Sequence, residues 1–137
     1  HTEVIQPSTR QQNKVAELAE RAEDIRSGSV DPSEDNMLKI TNDGRKLALD
    51  MRLVDESAPD DENGKVAVCA GNVHRIWEQT REQRSSQLVF CDLSTPKGDG
   101  SFNVYDDLKQ KLIDKKLTRG ATDDEIKKLL YKNGYNV

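Results

Sequence analysis

Apolar side chains recur every three or four residues in three long stretches of the chain, and this spacing predicts three amphipathic helices. The stretches cover residues 9–26, 64–83 and about 102–117. Ser8 or Thr9 can cap the first helix, and Ser27 with Gly28 ends it. The only tryptophan, Trp77, shares its stripe with aliphatic residues, which favours a core anchor over a base-stacking platform.

The pattern between the first two stretches is weaker. A short apolar cluster at residues 37–40 is followed by Asn42 to Gly44, three residues that break helical patterns. We therefore expect one short helix that starts near residues 31–33 and a second short helix over Arg45–Met51. Residues 55–63 form an acidic, proline-containing loop without the ligand spacing of a calcium loop, so a flexible connector is the better interpretation.

Residues 87–92, with the sequence QLVFCD, form a short and continuous apolar run that predicts a strand buried on both faces. A helix–strand–helix order with a polar loop after the strand indicates an α/β Rossmann-like sheet. One strand is not a sheet, so we expect the chain to be a piece of a larger protein. A capping box at residues 122–125 predicts a last helix, and residues 135–137 match the start of another strand.

Composition narrows the function. The formal net charge is −4, whereas a self-contained nucleic-acid-binding domain usually carries a basic excess. Any DNA contact must then come from a local patch or a neighbouring domain. The two cysteines, Cys69 and Cys91, fit free thiols in a reducing cytoplasm better than a structural disulfide. No apolar run approaches the roughly 20 residues that span a bilayer, so we expect a cytoplasmic protein without membrane contact.

The polar loop after the predicted strand is the first candidate site. Ser94, Thr95, Lys97 and the backbone N–H groups near Ser101 suit a phosphate, because a helix start and a lysine both attract anions. The loop lacks the Gly-Lys-Ser/Thr ending of a Walker loop, and a polar surface loop fits equally well. No metalloprotease, hydrolase or Cys-x-x-Cys motif is present elsewhere.

A basic patch interleaved with leucines is the second candidate site. Its members are Lys39, Arg45, Lys46 and Arg52. Basic side chains on short helices can meet a phosphate backbone, and a solvated helix face is the alternative interpretation.

Two stretches resemble a known family. Residues 35–53 (DNMLKITNDGRKLALDMRL) and residues 87–108 (QLVFCDLSTPKGDGSFNVYDDL) are similar to segments of Swi/Snf-like superfamily 2 DNA helicases or translocases. These are large bacterial or phage proteins, often from mobile elements and often fused to an adenine-specific DNA methylase. Residues 88–92 resemble the motif that opens the second motor lobe. The resemblance covers residues 35–117, and the chain departs from the family pattern after Leu117.

The resemblance implies a helix-rich α/β fold, namely a partial RecA-like (Rossmann-like) second motor lobe with few parallel strands. It implies a helical lead-in over residues 1–30, short helices and an acidic loop over 31–63, and the partial lobe over 64–137. The Walker loop, the Asp-Glu-x-His box and the late second-lobe motifs are missing, so we expect no ATPase activity from this chain alone. ATP and Mg²⁺ are expected only for the parent protein, and this fragment is expected to bind no cofactor.

The resemblance also implies two partners, namely DNA through the full-length protein and the first motor lobe. A truncated sheet edge is a template for self-pairing, so self-association of the fragment is a further expectation. Ser94, Thr95 and Lys97 match the place where the family touches the DNA backbone. Arg45, Lys46 and Arg52 match a segment whose role the resemblance does not specify. Two other functions remain open: an independent helical protein-interaction module using helix 9–26 as an arm, and a small phosphate-ligand enzyme using the loop over residues 94–101.

Overall fold

A computed structural model describes residues 2–117, so the predictions for residues 122–125 and 135–137 lie outside the described residues. The described part forms four α-helices and one 3₁₀ helix. They are α1 (Thr9–Ser27), α2 (Met37–Leu49), the 3₁₀ helix (Met51–Leu53), α3 (Lys65–Gln79) and α4 (Val104–Leu117). No strand occurs in this part, so the predicted α/β sheet and RecA-like lobe are wrong. None of these helices is long and apolar enough to cross a membrane.

The chain divides between Lys65 and Val66 into two compact units. In the first unit, α1 confirms the predicted helix almost to the residue. The Ser8 hydroxyl accepts a hydrogen bond from the Gln11 N–H (3.2 Å), and the Gln11 side-chain oxygen accepts one from the Ser8 N–H (3.0 Å). This reciprocal capping box satisfies two N–H groups at the helix start. Gly28 ends the helix at φ 75°, a left-handed conformation that glycine adopts without a steric cost.

Helix α2 runs without interruption through Asn42 to Gly44, so the predicted break there is wrong. The helix starts at Asn36, whose side-chain oxygen accepts hydrogen bonds from two N–H groups of the first turn, each at 3.1 Å. Glycine inside a helix costs about 1 kcal/mol relative to alanine. Gly44 lies against α1, where an added Cβ would be 3.9 Å from Leu18 Cδ1. Burial of Ile40 and Leu47 on α2 offsets the local cost.

Arg21 fastens α1 to the segment that leads into α2 and to α2 itself. Its guanidinium donates to both carboxylate oxygens of Asp35 (2.7 and 2.9 Å) and to Asp43 (2.9 Å). The hydrogen bonds from Arg21 hold the pKa of the Asp35 carboxyl below its usual range. Asp43 lies within the predicted break at residues 42–44. In the structure this residue is helical and forms an ion pair with Arg21 of α1.

Replacing Arg21 with glutamine is expected to lower stability at neutral pH and to weaken its dependence on acid. Because the folded pKa of Asp35 is depressed, this carboxylate stabilises the fold above its unfolded pKa of about 4. That contribution is lost as the pH falls through the folded pKa. Urea unfolding at pH 7 and pH 3, followed by circular dichroism, measures both effects. Arg26→Gln, at an exposed pair, is the control; equal acid sensitivity of the Arg21 variant and the wild type would contradict the assignment.

In the second unit, α3 is shorter than the predicted helix over residues 64–83. It ends at Gln79, and Arg84 then adopts φ 51°, a left-handed backbone that cannot continue a helix. Trp77 on α3 is half-buried and lies below the guanidinium of Arg81, 5.5 Å from the ring centre. Helix α4 starts at Val104, two residues after the predicted start.

Candidate functional site

The most unusual feature of the second unit is the segment predicted to be a strand. Side-chain exposure alternates along residues 86–92, and the half-buried positions are Gln87, Val89 and Cys91. A period of two is the signature of an extended backbone. The backbone groups of Leu88, Val89 and Phe90 form no hydrogen bond with any described residue. The extended segment therefore has the geometry of a strand without a paired neighbour.

The half-buried side of the extended segment is held within the second unit. The Gln87 side-chain amide donates to the Val73 carbonyl oxygen on α3 at 2.8 Å. The Cys91 thiol donates to the Ser94 carbonyl oxygen at 3.5 Å. Burial raises the pKa of Cys69, with a further contribution from Cys91, and burial also raises the pKa of Cys91. Both cysteines are free thiols, as the sequence predicts.

The other side of the extended segment carries exposed apolar side chains. Phe90 is 83% exposed and Leu88 is 61% exposed. The sequence predicts both to be buried, because a continuous apolar run normally lies inside a covered sheet. The apolar run marks this segment in the sequence, but it does not predict that the side chains on one face are exposed to solvent.

Ser94, the first residue of the predicted phosphate loop, has a structural role. It is buried, and its hydroxyl accepts a hydrogen bond from the Val104 N–H at the start of α4 (2.9 Å). The Asn103 side-chain oxygen accepts from the Asp106 N–H at 2.8 Å. These two side chains cap the helix. Ser101 donates its N–H to the Asp99 carboxylate at 2.9 Å.

Replacing Ser94 with alanine is expected to cost about 1–2 kcal/mol of stability, because a buried N–H at the start of α4 loses its acceptor. Urea unfolding followed by circular dichroism measures the loss. Thr95→Ala is the matched control, since Thr95 is exposed and the change should stay within about 0.5 kcal/mol. A Ser94 variant as stable as the Thr95 variant would contradict the capping role.

The remaining loop residues face solvent. Thr95 and Lys97 are both exposed, and Lys97 forms no ion pair with a described residue. Hydrogen bonds from Ser101 lower the pKa of the Asp99 carboxyl, and the Lys97 charge adds to this effect. The structure thus keeps Thr95 and Lys97 together and accessible, while the Ser94 hydroxyl is already occupied.

The three predicted basic residues of the first unit have different surroundings. Arg45 is exposed and has no ion-pair partner among the described residues. Arg52 is only 13% exposed in its side chain, and its guanidinium pairs with Asp50 (2.8 Å) and Asp60 (2.9 Å). A DNA contact at Arg52 would require these pairs to break. The assignment of all six residues to DNA stays a prediction.

Lys46 lines an open cavity of about 520 Å³ in the first unit. The charged side chains around this cavity are Arg21, Lys39, Lys46, Glu34, Asp35 and Asp43. Three positive and three negative charges give no net attraction for a phosphate group. Among the described residues there is also no group of three or more histidine, cysteine or acidic side chains placed to hold a metal ion.

Comparison with known proteins adds no relative to this picture. No protein-family model, no curated protein and no solved structure matches this chain.

Proposed function

We propose that this chain is a helical protein-interaction module, without catalytic activity of its own, whose docking element is the extended segment over residues 85–92. The observation that supports the proposal is the pairing of two features at one place. Phe90 and Leu88 expose most of their apolar surface, and the backbone beside them has hydrogen-bonding groups that no described residue uses.

An open strand edge binds other strands for a physical reason. Main-chain N–H and C=O groups provide affinity when a second strand is added, and pockets or faces for alternate side chains provide specificity. Gln87 already ties the segment to α3. The segment therefore loses less backbone entropy when a partner binds than a free coil would lose.

Helix α1 is a poorer docking element, although the sequence suggested it as an arm. Its Gln11 side chain donates to the Leu47 carbonyl oxygen of α2 at 3.1 Å, and Arg21 pairs with Asp43. A partner would have to displace these contacts before it could use the same face. The extended segment has no comparable competition among the described residues.

A phage-displayed library of random peptides, selected against the immobilised chain, tests the docking function. We expect enriched peptides with alternating apolar residues, and we expect Phe90→Ser to abolish their binding. Leu38→Ser is the matched control, because Leu38 is 72% exposed but lies on α2 in the first unit. Selection that enriches no peptide, or peptides that bind the Phe90 variant as well as the wild type, would contradict the proposal.

A second candidate function is contact with a DNA backbone as part of a Swi/Snf-like translocase, whose parent would use ATP and Mg²⁺. The observation in its favour is that Arg45, Thr95 and Lys97 are exposed, and that neither basic side chain has an ion-pair partner among the described residues. Phosphate contacts need accessible cations of this kind. The net charge of −4 limits such contacts to local patches.

Fluorescence anisotropy with duplex and single-stranded oligonucleotides, at low and moderate salt, tests this second function. We expect weak binding that falls steeply with salt and weakens further in Lys97→Glu. Arg26→Glu makes the same change in net charge at an exposed position of α1 and is the control. Equal effects of the two substitutions would leave only nonspecific attraction and would remove the loop from the DNA contact.

A further inference from the structure

We propose that the occupant of the extended segment is a second copy of this chain, paired antiparallel about Leu88. In this arrangement Arg84 of each copy faces Asp92 of the other. The inference rests on the proposed docking function, because it names the partner for the same segment.

The charges at the two ends of the segment favour a second copy of the chain as the partner, and they favour antiparallel over parallel pairing. The seven residues from Ser85 to Cys91 carry no charge, and they are flanked by Arg84 and Asp92. Both flanking residues lie four positions from Leu88. Arg84 belongs to the turn just before the segment, with φ 51°, so antiparallel pairing about Leu88 brings this turn residue of each copy next to Asp92 of the other. Parallel pairing in register would oppose like charges, which destabilises a strand pair. Arg84 and Asp92 are exposed and form no ion pair with a described residue.

The apolar face fits the same register. From Ser86 to Asp92 the exposed positions are the even-numbered ones, and antiparallel pairing about Leu88 opposes even positions to even positions. Leu88 then meets its own copy on the two-fold axis, and Phe90 meets Ser86. Because serine is small, the Phe90 ring has room to reach Leu88 of the other copy along the diagonal, a distance that aromatic side chains span. On this exposed face the one polar residue set against an apolar one is Ser86, which is much smaller than Phe90.

Two-fold pairing also limits the size and strength of the assembly. An interface in which the same surface is used by both copies closes on itself, so the edge of the segment that pairs binds one other copy. A contact of about nine residues per copy falls below the area of roughly 1,200 Å² typical of stable complexes. We therefore expect a weak dimer that depends on protein concentration.

Sedimentation equilibrium of the complete 137-residue chain at low salt, over a range of concentrations, tests the pairing. Arg84→Asp and Asp92→Arg should each raise the dissociation constant roughly tenfold, because each substitution changes two symmetry-related pairs. The double variant Arg84→Asp/Asp92→Arg should return to within about threefold of the wild type, since the charges are only exchanged. Aspartate tolerates the left-handed backbone at position 84, and circular dichroism confirms that the fold is retained.

The outcomes separate this inference from the docking function. A chain that stays monomeric while it still selects peptides through Phe90 would overturn self-pairing and leave the segment to a strand of another protein. A dimer that the double variant does not restore would overturn the antiparallel register. If Phe90→Ser dimerised as strongly as the wild type, the contact would lie elsewhere and the inference would be overturned. The docking function would then be tested separately by the peptide selection.

Discussion

Replacing Leu47 with alanine is expected to destabilise the first unit by about 2–4 kcal/mol. Leu47 is 2% exposed and is the largest fully buried side chain among the described residues. Truncating a buried leucine removes its transfer free energy and leaves a cavity that its neighbours fill only in part. The residue already borders a cavity of about 320 Å³ together with Leu18, Leu53 and Val54, so the removed volume enlarges an existing space. A small domain has only about 5–15 kcal/mol of total stability.

Urea unfolding followed by circular dichroism measures the effect of the Leu47 substitution. The control is Leu38→Ala, which makes the same chemical change on the same helix at a position that is 72% exposed. We expect the control to stay within about 0.5 kcal/mol of the wild type. Equal losses in the two variants would contradict the assignment, because alanine is the better helix former and only the buried Leu47 should lose packing between α1 and α2.

Replacing Arg52 with methionine is expected to cost up to about 3 kcal/mol. The Arg52 and Asp50 side chains are only 13% and 12% exposed, and Arg52 also pairs with Asp60. Removing one member of a largely buried pair leaves the other charge without compensation in a poorly hydrated place. The methionine keeps the length of the side chain, so the loss reports the charge and its hydrogen bonds rather than packing.

The double variant Asp50→Asn/Arg52→Met should lose less stability than Arg52→Met alone, because no uncompensated charge remains at position 50. Arg26→Met is the surface control: its pair with Glu23 is 75% and 70% exposed and should contribute less than about 1 kcal/mol. If Arg52→Met instead left stability unchanged and weakened DNA binding, the residue would belong to the nucleic-acid contact that the sequence suggested.

Sequence reasoning succeeded where the stabilising groups are close together in the chain. The boundaries of α1 followed from Ser8 or Thr9 at its start and Ser27 with Gly28 at its end, since a helix cap and a left-handed glycine act within a few residues. The continuity of α2 was missed because burial of Ile40 and Leu47 in the tertiary structure offsets the cost of Gly44. The roles of Ser94 and Arg52 were missed for the same reason: their type suggested phosphate contact, and the positions of Val104 and Asp50 decided otherwise.

The sequence by itself located α1, α3 and α4, because each helical hydrogen bond joins residues four apart and each cap is local. Only the tertiary structure decided that α2 runs unbroken through residues 42–44. The sequence also marked residues 87–92 as extended and apolar. Only the tertiary structure decided that this segment is not part of a sheet in the described chain. A strand needs N–H and C=O partners from another segment, and no described residue supplies them to Leu88, Val89 or Phe90. Burial of Phe90 would likewise need a covering segment from elsewhere in the chain, and Phe90 is 83% exposed.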